Sequence, residues 1–197
     1  MKKTDVLELH YITPISNVPS ILKKGILSNA QAQKVDHVSV ASKDIQEKRA
    51  KKIVPGGRPL HEYVNLYICA RNPMLFKLKE KHQELSVLRI NTEVLNLPEV
   101  VVADRNASSG YVRFAPSPQG LAYVDRDMIF AERWTHPGNR IRYWEHVSIK
   151  CAEILVPDTV QAKYINGAYV SCEAAKTKLE GIGVNLAVQI DAHLFFQ

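Results

Sequence analysis

The order of apolar and polar positions along the chain predicts short strands and helices that alternate from end to end. Apolar residues fill most of Val6 to Thr13, which favours an opening strand that Pro14 ends. A short helix is predicted next, with Ser16 as its N-cap, Pro19 in its first turn and Gly25 just past its end.

The later strands share short runs of β-favouring residues with little charge. They are Tyr63 to Ala70, Leu85 to Ile90, Val100 to Ala103, Ala152 to Val156, Ala168 to Ser171 and Val184 to Ile190. Helices are predicted over Asp44 to Lys52, Val94 to Leu97 and Cys172 to Leu179, with short ones among the prolines and glycines of residues 116–145. Without repeats or a linker, this mixture indicates one α+β (mixed α/β) domain over residues 1–197.

Composition places the chain among ordinary globular proteins. Its 197 residues are 46% hydrophobic and 23% charged, which excludes collagen-like, mucin-like and wholly disordered chains. No apolar run approaches the roughly 20 residues of a membrane-spanning helix, and the N-terminus lacks the apolar stretch of a signal peptide. Cys69, Cys151 and Cys172 are far apart in the sequence, so we expect a reduced, cytoplasmic protein without disulfides or a metal site.

The net charge of +6 is concentrated in two segments. Residues 43–58 hold six basic and two acidic residues, a net of +4, and residues 71–89 hold five and two, a net of +3. Such a basic strip is typical of proteins that bind polyanions such as nucleic acid or dinucleotides. The alternative is a solvated helix face that keeps the protein in solution.

Two short segments carry candidate chemistry. The run His10-Tyr11-Ile12-Thr13 ends a strand just before a helix, where polar groups can hold a ribose or an amide; the alternative is a satisfied core or edge position. Glu153 is a lone carboxylate in an apolar strand. Because an unpartnered carboxylate is rarely buried, Glu153 is either exposed at an edge or held for a function.

Basic side chains supply a third candidate. Lys48, Arg49, Lys51 and Lys52 could neutralise phosphates of a dinucleotide or of DNA, although a solvated helix explains the lysines equally. Arg71 follows a strand and is a better candidate for an anchored contact. The sequence contains no P-loop, Rossmann glycine pattern, zinc-protease motif or nucleophile elbow.

Four blocks of the sequence together resemble one family. "HYITPISNVPSILKKGIL", "DIQEKRAKKIVPGGRPLHEYVNLYICARNPML", "VVADRN" and "CAEILVPDTV" are similar, in this order, to the DarT family of DNA ADP-ribosyltransferase toxins. The resemblance implies an ADP-ribosyltransferase-like fold of two small β-sheets with surrounding helices and an NAD cleft between them. It also implies transfer of ADP-ribose from NAD to a base of single-stranded DNA, and a partner antitoxin that carries a macrodomain.

The same resemblance implies roles for individual residues. Glu153 matches the catalytic glutamate of the family, and Arg49 matches the arginine of its active centre. Tyr67 and Met74 match residues that line the nicotinamide pocket.

The opening motif departs from the family's usual order. Thr13 and Asn17 match nucleotide-contacting positions, but the family's motif commonly reads Tyr-His-Ile-Thr and this chain reads His10-Tyr11-Ile12-Thr13. Either His10 or Tyr11 is therefore expected to contact NAD.

The loop from Asp104 to Phe114 is the expected acceptor region. There Arg105, Asn106, Tyr111 and Arg113 are the candidates to contact DNA. Tyr111 or Phe114 could stack a base; the alternative is that these aromatic side chains belong to the core. The central block "YVNLYICARNPML" and the absence of a histidine after Arg105 resemble a guanine-modifying branch more than the thymine-modifying one. Two other hypotheses remain open: a non-catalytic nucleic-acid-binding module, and an ADP-ribosyltransferase that acts on RNA or protein.

Overall fold

Ten strands and seven α-helices alternate along the chain, as the hydrophobic pattern predicts. The computed structural model describes residues 1–197, apart from the side chain of Lys43. The strands are β1 (Leu9–Pro14), β2 (Ile26–Leu27), β3 (Tyr63–Tyr67), β4 (Leu85–Ile90), β5 (Val101–Ala103), β6 (Phe114–Pro116), β7 (Glu153–Pro157), β8 (Thr159–Val160), β9 (Ile165–Val170) and β10 (Val188–Ile190). The helices are α1 (Val18–Lys24), α2 (Asn29–Ala32), α3 (Lys43–Ala50), α4 (Pro73–Lys77), α5 (Arg126–Phe130), α6 (Arg140–Lys150) and α7 (Glu173–Gly181). Short 3₁₀ turns link them.

The strands form two sheets of very different size. Eight strands make one sheet in the order β10-β9-β4-β1-β3-β7-β5-β6, and β2 pairs with β8 in the second. Neighbours in the large sheet are antiparallel except β10 and β9, which are parallel. The mixed α/β class is confirmed, and two sheets are present; they are unequal rather than both small, because strands from both ends of the chain join the large one.

Strand alternation gives the large sheet two buried faces. In β3, Val64 and Leu66 point into the main hydrophobic cluster, while Tyr63 and Tyr67 belong to two smaller clusters on the opposite face. Helices and turns cover both faces, so the central strands read as nearly continuous apolar runs. The face that carries Tyr67 is called the site face below.

Most of the predicted elements are present, but the majority of their boundaries differ from the predicted ones, by one to four residues. β4 covers Leu85–Ile90 as predicted, and α1 ends at Gly25 with the positive φ of 84° typical of a helix terminus. The predicted N-cap Ser16 is wrong: it lies within the 3₁₀ turn Ile15–Asn17, and α1 begins after that turn. Strands β2, β6 and β8 and helices α2 and α4 were not predicted, because each is only two to five residues long. In β6, Phe114-Ala115-Pro116 also ends in a proline that cannot donate to a ladder.

Candidate active site

A row of directly opposed residues crosses the centre of the large sheet. His10 of β1 lies opposite Tyr67 of β3, Tyr67 lies opposite Glu153 of β7, and Glu153 lies opposite Ala103 of β5. Directly opposed residues point to the same face of a sheet, and neighbouring strands are about 4.8 Å apart. Three of the predicted site residues, which are distant in sequence, therefore stand side by side on the site face.

Glu153 is fully buried and is held as an ion pair. Its side chain is 0% exposed, and the Arg49 Nη1 donates to both of its carboxylate oxygens, at 2.9 Å to Oε2 and 3.2 Å to Oε1. The backbone N–H of Ala107 donates to Oε1 at 3.0 Å. The exposed-edge alternative for Glu153 is excluded, because a carboxylate removed from water in this way requires these partners to remain charged.

Three separate segments meet at this carboxylate. Glu153 is the first residue of β7, and Arg49 lies in the last turn of α3, where its side chain is also buried. Ala107 lies in the loop that joins β5 to β6. The tertiary structure thus brings together three segments that lie 46 to 104 positions apart along the chain.

The loop between β5 and β6 is organised by a buried aspartate. Asp104 accepts hydrogen bonds from the backbone N–H and the Nε of Arg113, both at 2.9 Å, and a longer one from the Nε of Arg105 at 3.3 Å. Asn106 uses its Oδ1 to accept from Ser108, so its side chain shapes the loop. These predicted DNA-contacting residues lie beside Glu153, but Asp104 offsets part of their positive charge.

The remaining predicted DNA-contacting side chains surround the loop. Tyr111, in the loop, is 85% exposed. The ammonium group of Lys52 donates to the Ser109 carbonyl at 3.0 Å and lies 5.9 Å from the centre of the Phe114 ring. Lys48 and Lys51 are exposed on and beside α3. Exposed lysines next to the site are available to phosphates, whereas Lys52 contributes to holding the loop.

Tyr67 and Met74 are brought into direct contact. The Tyr67 hydroxyl donates to the Met74 sulphur at 3.4 Å. Burial, and then the negative charge of Glu153, raise the pKa of Tyr67 well above its usual value. Tyr67 is therefore a neutral side chain that packs beside the carboxylate.

The opening motif divides between the two faces of the sheet. His10 is on the site face, where its Nε2 lies 3.2 Å from the Glu8 carboxylate, whereas Tyr11 and Thr13 alternate to the other face. Burial raises the pKa of Tyr11. This geometry favours His10 over Tyr11 as the residue that shares a surface with Glu153.

Asn17 and Thr13 form a second polar group. The Asn17 Nδ2 donates to the Thr13 hydroxyl at 3.3 Å and to the Val38 carbonyl at 2.8 Å, and its Oδ1 accepts from the Val38 N–H at 3.0 Å. Asn17 therefore clamps the polar segment that precedes α3. The structure places this pair near β1 but not in the Glu153 row.

Several residues at the site were missed by sequence reasoning. Asn72 caps α4 by accepting from the N–H groups of Met74 and Leu75, and its Asn-Pro signal was readable as an N-cap followed by proline. Glu8 accepts from Tyr169, Arg89 and His10, which no short-range pattern shows. Burial and the nearby Arg49 charge lower the pKa of His61, another residue without a sequence signal.

Two kinds of feature are absent from the described part of the chain. There, no group of three or more His, Cys, Asp or Glu side chains is arranged to hold a metal ion. None of the described helices has the length and apolar character needed to cross a bilayer.

Comparison with known proteins identifies the family. The model of the family described as "DarT: ssDNA thymidine ADP-ribosyltransferase, DarT" matches residues 10–196. The chain belongs to the DarT family. The DarT resemblance of the sequence blocks is thereby confirmed, and with it the fold class.

One sequence relative and one solved structure, both from Thermosipho africanus, are similar over nearly the whole chain. A DNA ADP-ribosyl transferase-DNA ADP-ribosyl glycohydrolase fusion protein of Thermosipho africanus is 32% identical over 201 residues, covering 96% of this chain and 49% of the relative. The chain thus spans about half the length of that relative. The structure of Thermosipho africanus DarTG in complex with ADP-ribose superposes with a TM-score of 0.82 at 29% identity, covering 96% of this chain and 51% of that one.

A further DarT structure matches from end to end. Thermus sp. 2.9 DarT in complex with ADP-ribosylated ssDNA has a TM-score of 0.84 at 25% identity, with 99% of both chains covered. The fold of this chain as a whole is therefore similar to that of the DarT structures.

Proposed function

We propose that this chain transfers ADP-ribose from NAD to a base of single-stranded DNA and releases nicotinamide. The observation that carries the proposal is the buried Glu153 carboxylate held by Arg49 and Ala107 in a DarT fold. It is supported by relatives bound to ADP-ribose and to ADP-ribosylated ssDNA. The proposal also treats residues 1–197 as one domain, since the family match spans residues 10–196.

The proposed chemistry follows from the charge of the site. Breaking the bond between nicotinamide and ribose leaves its electron pair on nicotinamide and positive charge on the sugar, which a nearby carboxylate stabilises. A base nitrogen then forms the new bond to the sugar carbon and loses a proton, which in this proposal Glu153 accepts. In this proposal the Arg49 guanidinium orients the Glu153 carboxylate. Because it is permanently charged and has several donors in one plane, it also holds a phosphate or polarises the target base.

The ligand must open the site to reach Glu153. The carboxylate is 0% exposed, with Arg49 on one side and the β5–β6 loop on the other. Since both partners come from segments outside β7, a shift of the Arg49 guanidinium exposes Glu153 without disturbing the sheet. His10, Tyr67, Arg71 and Met74 are proposed to contact NAD on the site face, and Thr13 with Asn17 to contact its nucleotide part.

Single-stranded DNA is the proposed acceptor because the reacting base must be out of its stack. Tyr111 is proposed to stack a base, which its 85% exposure supports. Lys48, Lys51, Arg105 and Arg113 are proposed to contact phosphates. The modified base is a finer question. The departures in "YVNLYICARNPML" and after Arg105 favour guanine, whereas the description of the matching family model favours thymidine.

An antitoxin partner is part of the same proposal. The Thermosipho africanus relative is a fusion with a DNA ADP-ribosyl glycohydrolase, and this chain covers 49% of it. We propose that a macrodomain protein with that activity counteracts this chain.

Intact-mass measurement of oligonucleotides tests the base. The protein is incubated with NAD and single strands that contain guanine or thymine as the one variable base. We expect the mass of one ADP-ribose to be added to the guanine strand. Addition to the thymine strand alone would reverse the base assignment, and addition to neither, with RNA or protein modified instead, would overturn DNA as the acceptor.

A further inference from the structure

The C-terminal tail, Leu194 to Gln197, packs on the site face. Phe195 is 1% exposed and belongs to the same hydrophobic cluster as Ile12 and Tyr67. The tail is fixed by hydrogen bonds from the Gln197 N–H to the Ala192 carbonyl at 3.0 Å and from its Nε2 to the Lys79 carbonyl at 3.1 Å. The chain therefore returns, at its end, to support a residue of the candidate pocket.

Phe196 is held in an unfavourable backbone conformation. Its φ is +64°, in the left-handed region that a bulky side chain rarely adopts. Its ring is fixed edge-on between Phe76 and Trp134, with ring centres 5.0 Å and 5.9 Å away. Strain of this kind persists where the surrounding structure requires one placement of the side chain, and it is concentrated at functional positions.

The guanidinium of Arg71 lies over the face of the Phe196 ring. The Arg71 Cζ lies 4.0 Å from the ring centre, well within cation–π distance. The Nε and Nη1 of Arg71 are buried, and among the described atoms they have no hydrogen-bond partner. Buried donors of a permanent cation are costly to leave unpaired. An oxygen acceptor on a bound ligand would give Nε and Nη1 the hydrogen bonds that they lack.

Arg71 lies close in the chain to two residues that are proposed to contact NAD. It comes four residues after Tyr67, which lies opposite Glu153, and three before Met74, which Tyr67 contacts. The proposed ligand, NAD, offers two kinds of oxygen acceptor: the nicotinamide carboxamide and the diphosphate. Either oxygen can accept hydrogen bonds from the Nε and Nη1 of Arg71.

We propose that Phe196 is a positioning residue that holds the Arg71 guanidinium ready to bind an oxygen of NAD. This inference rests on the proposed function, since it requires NAD as the ligand. It makes the C-terminal tail a part of the binding site, although the tail lies 43 positions after Glu153.

Direct binding of NAD to Phe196→Leu tests the inference. Loss of the ring face is expected to raise the Kd for NAD about fivefold, the effect of a typical cation–π contact, while turnover at saturating NAD stays close to that of the wild type. Phe196→Trp keeps the ring face and should restore affinity. Phe130→Leu is the matched control, because Phe130 is 43% exposed and its ring lies under a different guanidinium, that of Arg126, at 6.0 Å. It removes an equivalent ring and cation–π contact away from Arg71 and should leave the Kd unchanged.

A double-mutant cycle separates positioning from packing. If Phe196 acts through Arg71, then Arg71→Met and the combined Arg71→Met with Phe196→Leu should bind NAD equally weakly. Parallel titrations with ADP-ribose and with nicotinamide assign the oxygen: weakened ADP-ribose binding indicates the diphosphate, and weakened nicotinamide binding indicates the carboxamide.

The outcomes that contradict the inference are distinct from those that contradict the proposed function. Unchanged NAD affinity in Phe196→Leu, an equal loss in Phe130→Leu, or additive losses in the cycle would overturn the role of Phe196 alone. A wild-type protein that binds no NAD would overturn the proposed function and this inference with it.

Discussion

Glu153 and Arg49 are each buried because the other is present. One carboxylate and one guanidinium at 2.9 Å, supported by the Ala107 N–H, remain charged where either alone would be strongly unfavourable. At the scale of single residues, sequence reasoning identified both members from different signals. Their pairing was not predictable, because 104 positions separate them and no local pattern encodes that contact.

Replacing the carboxylate should stop the reaction. Glu153→Gln keeps the shape of the side chain but removes the charge that stabilises the sugar cation, so we expect DNA modification to fall by at least about 100-fold. It also leaves Arg49 as an unpaired buried cation, which should lower the free energy of unfolding by a few kcal/mol, roughly as in other broken buried pairs. Steady-state assays and denaturant unfolding measure the two effects. Glu80→Gln, at an exposed glutamate, should change neither.

The lowered pKa of Glu8 should make the free energy of unfolding depend on pH. Burial alone would raise the pKa of Glu8, but hydrogen bonds from His10, Arg89 and Tyr169 lower it from 4.5 to about 2. A group whose pKa is lower in the folded state stabilises the fold above its unfolded pKa. That stabilisation is lost as the pH falls from about 4.5 to about 2.

Unfolding titrations of Glu8→Gln check this dependence. At pH 7 the variant should be less stable than the wild type by roughly 1–3 kcal/mol. The difference should shrink as the pH approaches 2, because the wild-type carboxyl becomes protonated and is then uncharged, as glutamine is. A difference that stays constant between pH 7 and pH 2 would show that the Glu8 hydrogen bonds do not depend on its charge.

At the scale of elements, the strands and their faces were more predictable than the loops. The apolar runs of β3, β4 and β7 are long enough to be predicted directly from the sequence. Strand β6 and the Ala107 contact were not readable. They depend on how a polar loop folds back over β5, and Asp104 fixes that path through tertiary hydrogen bonds.

Gly25 sets the turn between α1 and β2. Its φ is +84°, and an added Cβ would lie 2.6 Å from the Val160 carbonyl oxygen and 2.8 Å from the Thr159 side chain, both in β8. Gly25→Ala should therefore destabilise the protein, by roughly 1–3 kcal/mol, through backbone strain and separation of β2 from β8.

Gly181→Ala is the matched control for that substitution. Gly181 is the last residue of α7, and an added Cβ there meets no atom within 4 Å. Alanine is a better helix former than glycine, so this variant should keep or slightly raise the Tm. If both variants lowered the Tm equally by thermal unfolding, the β2–β8 approach would not be what restricts Gly25.

At the scale of the whole molecule, the basic charge is distributed unevenly around the fold. Lys48 and Lys51 lie on and beside α3, which supplies Arg49, whereas the lysines of α7 lie at the β10 edge, the opposite end of the sheet from β6. The polyanion interpretation of the +6 net charge therefore applies to one part of the surface. The sequence indicated the basic segments, but the fold was needed to place one of them next to the carboxylate.

Salt titration of single-stranded DNA binding tests this uneven distribution. Each lysine that neutralises a phosphate contributes about 0.7 to the slope of log affinity against log salt. Lys51→Gln should reduce the slope by about that amount, with little dependence on sequence. Lys176→Gln in α7 removes the same charge and should leave the slope unchanged; equal effects of the two substitutions would indicate a general charge effect instead of a local contact.

The most direct test of the Glu153-centred transfer is to follow nicotinamide release and strand mass in the same reaction. Wild-type protein, NAD and a guanine-containing single strand should yield one nicotinamide for each strand that gains an ADP-ribose, and Glu153→Gln should yield neither. If the Glu153→Gln protein modified the strand at the wild-type rate, or if the wild type released nicotinamide without modifying any strand, the proposed DNA ADP-ribosyl transfer at Glu153 would be contradicted.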